Sequence, residues 1–335
     1  MALFTKELGI DLGTNYTRVA DSGELLFEEP TVAAIVVEEQ KMVAWGQEAQ
    51  EMLGRVPESI EVARPLQSGV IADYEVTEYM LAALLKKVSS PGRIFRPNVM
   101  ITVPYGVTSV ESRAVHEAAL QAGSREVTLI QQPLAAAIGV DLPIGTPSGN
   151  MIICLGGGAT QAAVLAMYGI IVAETLRDGG RAMDEAIVAY TRKKYGVIIG
   201  NLTAEQVKIR IGAAVQQDDE QAMEIQGQDQ VSGLPRPVSL TTGEVVEALQ
   251  EPLEDIVETA RKVLEKTPPE LVSDIIDRGI AVTGGGALLR GIDILLTKEL
   301  GVPAYLVDNT NTCTVEGASL AFRMYPLIRR NLPTV

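Results

Sequence analysis

The sequence has a single histidine, His116, and only two cysteines, Cys154 and Cys313. One histidine in a helical-looking stretch gives no support to Ser-His-Asp chemistry. Two cysteines so far apart make neither metal-ligand spacing nor a secreted disulfide framework, and a reducing cytosolic compartment is the expectation. Aromatic residues are scarce, 4% with one tryptophan, which argues against stacking platforms for single-stranded nucleic acid. Positive charge is short as well: 28 Lys and Arg against 43 Asp and Glu leave a formal net charge of −15. Such a chain repels nucleic acid at long range, so no nucleic-acid partner is expected, although a local basic patch is compatible with that balance. No segment reaches the roughly 20 apolar residues of a spanning helix. The opening "MALFTKELGIDLG" has no long apolar core or cleavage signal, so no targeting segment is expected there.

The chain offers 335 residues, 47% of them hydrophobic, enough for two domains with substantial cores. "ELGIDLG" and "NYTRVADSGELLFEEPTVAAIVVEE" read as consecutive strands with tight turns. Helical spacing follows in "TEYMLAALLKKVSS" and "SVESRAVHEAALQAG", with Gly123 as the stop of the second, and strands in "NVMITVP" and "EVTLIQQ". "PLAAAIGV" opens a helix on its proline. The Pro- and Gly-rich stretch 141–150 reads as a hinge, after which the pattern restarts with "MIICLG" and a second meander. Residues 242–268 predict one long helix with a break near Pro252, and "RGIAVTGGGALLRGIDILLTKELG" predicts strand, glycine turn and helix. The restart is an internal repeat. "IDLGTNYTRVA" aligns with "ICLGGGATQAA", setting Gly13 on Gly156, Thr17 on Thr160 and Asp11 on Cys154.

Each repeat carries a glycine turn after an apolar run, and "VTGGGALLRG" is a third. Turns of this kind bring backbone N–H groups close to phosphate oxygens, because no Cβ intervenes. The third precedes a helix, whose N-terminus also suits an anion. P-loop and dinucleotide-fold spacings are both absent. Taken singly, each turn is equally well a structural one.

In order along the chain, "GIDLGTN", "ICLGGGAT", "AEQVKIRIG" and "VTGGGALLRG" resemble the motifs of the actin-like ATPase superfamily. The longer "TVPYGVTSVESRAVHEAALQAGSREVTLIQQPLAAAIG" and "AMDEAIVAYTRKKYGVIIGNLTAEQVKIRIG" are similar to the MreB family of bacterial actins, and the likeness covers nearly the whole chain. The resemblance implies an α/β actin-like fold of two duplicated domains, each with a larger and a smaller subdomain, around a nucleotide cleft. Domain I would take residues 1–140 with 311–335, its small subdomain near 32–65; domain II would take 141–310, its small subdomain near 181–241. It implies ATP with Mg2+ as cofactors. Asp11, Gly13, Thr14, Asn15 and Tyr16 would form one phosphate hairpin and Gly157, Gly158 and Ala159 the other. Glu205 and Lys208, one helical turn apart, would lie beside ribose and base, against the plain alternative of a surface ion pair. Gly285, Gly286, Ala287 and Leu288 would close over the adenosine.

The chain departs from that family at the reaction centre. Gln131 and Gln132 stand where the family usually has two glutamates, and Cys154, Ala159 and Gln161 stand in place of Asp, Thr and Glu. Glutamine orients water but is a poor base, and a thiol is a poor Mg2+ ligand. A degenerate catalytic set at Gln131, Gln132, Cys154 and Ala159 is therefore expected, with slow or absent hydrolysis. The alternative is that Asp11, holding a metal through water, still suffices; eukaryotic actin also carries a glutamine near the Gln131 position and hydrolyses ATP. In "KKVSSPGRIFRPN", Ile94 and Phe95 sit between Arg93 and Arg96, an apolar tip with basic flanks. On its own the pair reads equally as a cap on the local core. The resemblance makes it a membrane-inserting loop, with Leu3 and Phe4 adding to it. The expected role is a filament former at the inner face of the cell membrane, working with cell-wall elongation and shape proteins. A non-hydrolysing regulator that copolymerises with an active paralogue, or a small-molecule kinase of the same superfamily, are the alternatives.

Overall fold

Both apolar runs that lead into the repeated glycine turns become the middle strand of a five-stranded sheet. In the computed structural model, which describes residues 6–88 and 96–334, these strands are Glu7–Leu12 and Asn150–Leu155. Each turns back into an antiparallel partner, Tyr16–Asp21 or Thr160–Ala166, and then into a third strand, Glu24–Pro30 or Gly169–Leu176. On its other side each runs parallel to a further strand, Asn98–Val103 or Ile280–Thr283, with Glu126–Gln131 or Ala304–Leu306 at the edge. The two sheets therefore share order and strand sense. The register repeats too: Asp11 faces Arg18 as Cys154 faces Gln161, and Leu12 faces Thr17 as Leu155 faces Thr160. In both turns the glycine N–H closes the hairpin, Gly13 to the Tyr16 carbonyl at 3.2 Å and Gly156 to that of Ala159 at 2.9 Å.

Sheets covered on both faces need strands that are apolar throughout, and Asn150–Leu155 is buried at every position. Its side chains alternate between two cores. Met151, Ile153 and Leu155 face helices Gly180–Tyr195, Asn201–Ile211 and Gln250–Lys266; Ile152 and Cys154 face a central core with Leu134, Cys313 and Ala318. That central core belongs to helices Gln132–Gly139 and Cys313–Ile328, which lie between the two sheets. They cross so closely that a Cβ on Gly317 would meet the Gly139 nitrogen at 2.6 Å and the Ala135 carbonyl carbon at 2.8 Å. On the outer face of the first sheet, Leu8, Ile10 and Leu12 pack on helices Tyr74–Val88 and Ser109–Gln121. Each half also carries a small three-stranded sheet: Ala33–Val36, Lys41–Trp45 and Ile60–Ala63 in the first, Val197–Ile198, Ala222–Asp229 and Pro235–Thr241 in the second.

Two local expectations change in detail. The long helix from 242 is two helices, Thr242–Ala248 and Gln250–Lys266, joined at Leu249. Pro252 lies in the first turn of the second helix, where its missing N–H costs nothing. After the third glycine turn, Gly285–Leu288 is a 3-10 turn and the α-helix starts only at Ile292. Leu3, Phe4, Ile94 and Phe95 lie outside the described residues.

Candidate functional site

Between the two sheets opens a cleft of about 430 Å3, and the repeated hairpins meet across it. The tip of the first, Thr14 and Asn15, lies against the tip of the second, Gly158 and Gly157. A Cβ on Gly158 would come within 2.8 Å of the Thr14 Cβ, and one on Gly157 within 2.6 Å of the Asn15 side-chain amide. Thr14 is fixed from a third direction, its hydroxyl accepting the Gly69 N–H at 3.0 Å. The second hairpin is held by the start of helix Gly180–Tyr195, whose Gly180 and Arg181 N–H groups donate to the Gly156 and Gly157 carbonyls, each at 2.9 Å.

Most of the residues expected from the sequence line this cleft: Asp11, Gly13, Thr14, Asn15, Tyr16, Gly157, Gly158, Ala159, Glu205, Lys208, Gly285, Gly286 and Leu288, with Gln132 and Cys154. Two do not. Ala287 is the one buried residue of the 3-10 turn Gly285–Leu288 and packs into the second half's core, while Leu288 beside it faces out. Gln131 closes the edge strand of the first sheet and lies outside the lining; its Oε1 is buried without a hydrogen-bond partner. The cleft also takes in Arg18, Gln161, Thr310 and Asn311. At its lip stand two exposed apolar side chains, Leu288 and Ile209. The sequence signal for Ile209 is an apolar residue four after Glu205, on the same helix face.

Lys208 does not form the surface pair with Glu205 that spacing alone would give. Its Nζ turns inward, donating to the Gly180 carbonyl at 2.6 Å and pairing with Asp184 Oδ1 at 2.7 Å. Burial pushes the Asp184 carboxyl up to about 6, against the pull of the Lys208 ammonium. Asp184, missed in the sequence, thus ties the second hairpin's supporting helix to the helix that carries Glu205.

At the floor, Asp11 is nearly buried, and burial raises its pKa above the ordinary carboxylate value. Opposing that, its Oδ1 accepts the Thr102 hydroxyl at 2.6 Å, Oδ2 lies 4.0 Å from Arg18 Nη1, and the Gln132 amide nearby favours the charged form. Burial drives the Cys154 thiol far above its usual pKa, with the nearby Cys313 and Asp11 adding to the rise. Cys154 is therefore a neutral thiol and supplies no thiolate. Gln161 is fully buried: its Oε1 accepts the Tyr105 N–H at 2.7 Å, and its Nε2 donates to Gln132 Oε1 in a short bond.

This donor set does not fit the expected Mg2+. In nucleotide sites that ion takes one or two carboxylates beside waters and phosphates, and the reaction centre offers a single carboxylate, already engaged by Thr102 and Arg18, with two amides bonded to one another and a neutral thiol. The other lining acids are Glu28, paired with Arg18, and Glu205, on helix Asn201–Ile211. Among the described residues no three His, Cys, Asp or Glu side chains gather as a metal cluster.

Comparison with known proteins agrees with the geometry. The chain matches the family described as MreB/Mbl protein over residues 5–329. It is 46% identical over 331 residues to the cell shape-determining protein MreB of Pasteurella multocida, covering 96% of this chain and 94% of that one. It is 42% identical over 319 residues to the cell shape-determining protein Mbl of Bacillus subtilis, covering 95% and 96%. Among solved structures, MreB5 of Spiroplasma citri bound to AMPPNP superposes with a TM-score of 0.91 at 31% identity, covering 98% of both chains. A MamK double helical filament subunit shares the fold at a TM-score of 0.81 and 21% identity, over 96% of this chain and 99% of that one.

Proposed function

Because the chain belongs to the MreB/Mbl family and has its actin-like fold, we propose that it binds ATP in the cleft and assembles into filaments that organise cell shape and wall synthesis, with hydrolysis strongly slowed. The observation that carries the reading is the meeting of two equivalent glycine hairpins across one cleft. Their N–H groups are positioned to grip a phosphate chain from both sides, and the exposed Leu288 and Ile209 offer apolar surface to a base at the lip. MreB5 of Spiroplasma citri, bound to AMPPNP, supports the nucleotide assignment. The cleft separates domain I, residues 1–140 with 311–335, from domain II, 141–310, with small subdomains near 32–65 and 181–241.

Filaments of this kind would lie at the inner face of the cell membrane, anchored by Ile94 and Phe95 with Leu3 and Phe4, and would meet cell-wall elongation and shape proteins there. Among the described residues no helix is long and apolar enough to cross a membrane, so anchoring rests on those few side chains. The acid-poor floor, with Cys154, Gln132 and Gln161 in it, favours a second reading: a non-hydrolysing subunit that copolymerises with an active paralogue. It also counts against a small-molecule kinase, which needs a base at its acceptor. The assignment is tested with Gly158→Val. A valine there drives into Thr14, so the affinity for a fluorescent ATP analogue is expected to fall at least about tenfold while circular dichroism is unchanged. Unchanged affinity in the folded variant would place the nucleotide elsewhere.

A further inference from the structure

We infer that Gln132 and Gln161 form a cation-independent strut across the cleft, so that nucleotide binding and the approach of the two halves require no divalent metal in this chain. The inference rests on the nucleotide reading above and concerns what replaces the metal in it.

Gln161 projects from strand Thr160–Ala166 of the second half, and Gln132 opens helix Gln132–Gly139 of the first. Their side chains join directly, Gln161 Nε2 donating to Gln132 Oε1. Gln161 Oε1 is occupied from the first half as well, by the Tyr105 N–H at 2.7 Å. The Tyr105 carbonyl in turn accepts the Thr175 hydroxyl at 2.8 Å, so the loop after strand Asn98–Val103 is docked on the second half at both its polar groups. With its oxygen taken by Gln161, Gln132 stands beside Asp11 on the cleft lining, where its amide helps to favour the charged carboxylate.

The run has a direction. From the Tyr105 N–H through Gln161 to Gln132, every group donates forward and accepts from behind, which only amides at both positions allow, and Asp11 stands beside the end of the run. Glutamates at both would instead line up three carboxylates, and like charges so placed need a cation or a proton between them. A single Glu at 161 would oppose the Gln132 oxygen; flipping Gln132 to satisfy it would turn that oxygen on Asp11. The two glutamines are thus a matched pair. They satisfy each other without metal, and each amide oxygen already accepts one hydrogen bond. Gln161 is fully buried, so a side chain there cannot turn to solvent when its partner does not match.

The test is nucleotide affinity with excess Mg2+ and with excess chelator, using a fluorescent non-hydrolysable ATP analogue on the full chain. The wild type is expected to bind within about threefold in the two buffers, and the Gln132→Glu/Gln161→Glu variant to lose at least about tenfold on chelation. Gln161→Glu alone is expected to bind more weakly than either in both buffers. Should the double variant not fold, the wild-type comparison still decides, together with small-angle scattering of the nucleotide-free wild type, whose radius of gyration is expected not to change on chelation. Tenfold loss of wild-type affinity in chelator would overturn the strut while leaving the nucleotide site intact. Absence of binding in both buffers would remove the nucleotide reading and the strut with it.

Discussion

Asp184 and Lys208 form a buried pair whose carboxyl pays for its position: burial raises the Asp184 pKa to about 6 even with the ammonium 2.7 Å away. An acid with a raised folded-state pKa adds stability that is fully present below its unfolded value near 4 and is lost as pH rises through about 6. The stability advantage of the wild type over Asp184→Leu/Lys208→Met is therefore expected to shrink by on the order of 2 kcal/mol between pH 4 and pH 7, read from urea titrations at each pH. An advantage that grows over that interval would show that pairing outweighs burial. At neutral pH the single Asp184→Leu variant should be the least stable of the three, since it leaves a buried ammonium without its counter-ion. None of this was legible in the sequence. The three-residue spacing of Glu205 and Lys208 pointed to a partner on their own helix, and the actual partner sits on another, brought there by the fold. The glycines were different. Gly157 and Gly158 announce their role because a hairpin that must meet another hairpin tolerates no Cβ, and Gly13 because a Cβ there would meet the Tyr16 carbonyl of its own turn; such demands are local enough to leave a mark in sequence.

At the scale of elements, the repeat was readable because each copy keeps the same short pattern: an apolar strand, a glycine turn and a second strand in fixed register. What joins the copies was not. The central core depends on helices Gln132–Gly139 and Cys313–Ile328, which are far apart in the chain and touch where Gly139 and Gly317 face each other. Gly317→Ala would set a methyl 2.6 Å from the Gly139 nitrogen and against the Ala135 carbonyl. Overpacking of that order costs about 1–3 kcal/mol or more, so thermal unfolding is expected to shift down by several degrees; an unshifted midpoint would mean the helices slide apart freely. The segment holding Ile94 and Phe95 is an element of a different sort, read from apolar residues between Arg93 and Arg96. Replacing both apolar residues by serine is expected to abolish sedimentation with anionic liposomes, each contributing about 1.5–3 kcal/mol when fully inserted. Sedimentation equal to the wild type would remove the loop from the membrane assignment.

For the whole molecule, the account separates gripping a nucleotide from cutting it. The gripping backbone is present twice and meets across one cleft. The groups that would hold a water and take its proton are an amide pair bonded to itself, a neutral thiol and one engaged carboxylate. The loss of acids at 132, 154 and 161 was visible in the sequence as departures from a family pattern. Their mutual bonding was not, because Gln132 and Gln161 come from different halves and only the closed fold brings them together. A missing general base typically costs 10²–10⁴-fold in rate, whereas assembly needs only the bound shape. The most direct measurement follows phosphate release and sedimentable polymer in the same ATP-containing sample. The expected result is polymer formed to the same extent with ATP as with a non-hydrolysable analogue, while phosphate released over the assembly period stays far below one per protomer. Polymer that appears only with hydrolysable ATP, together with one phosphate per protomer released as it forms, would contradict the account.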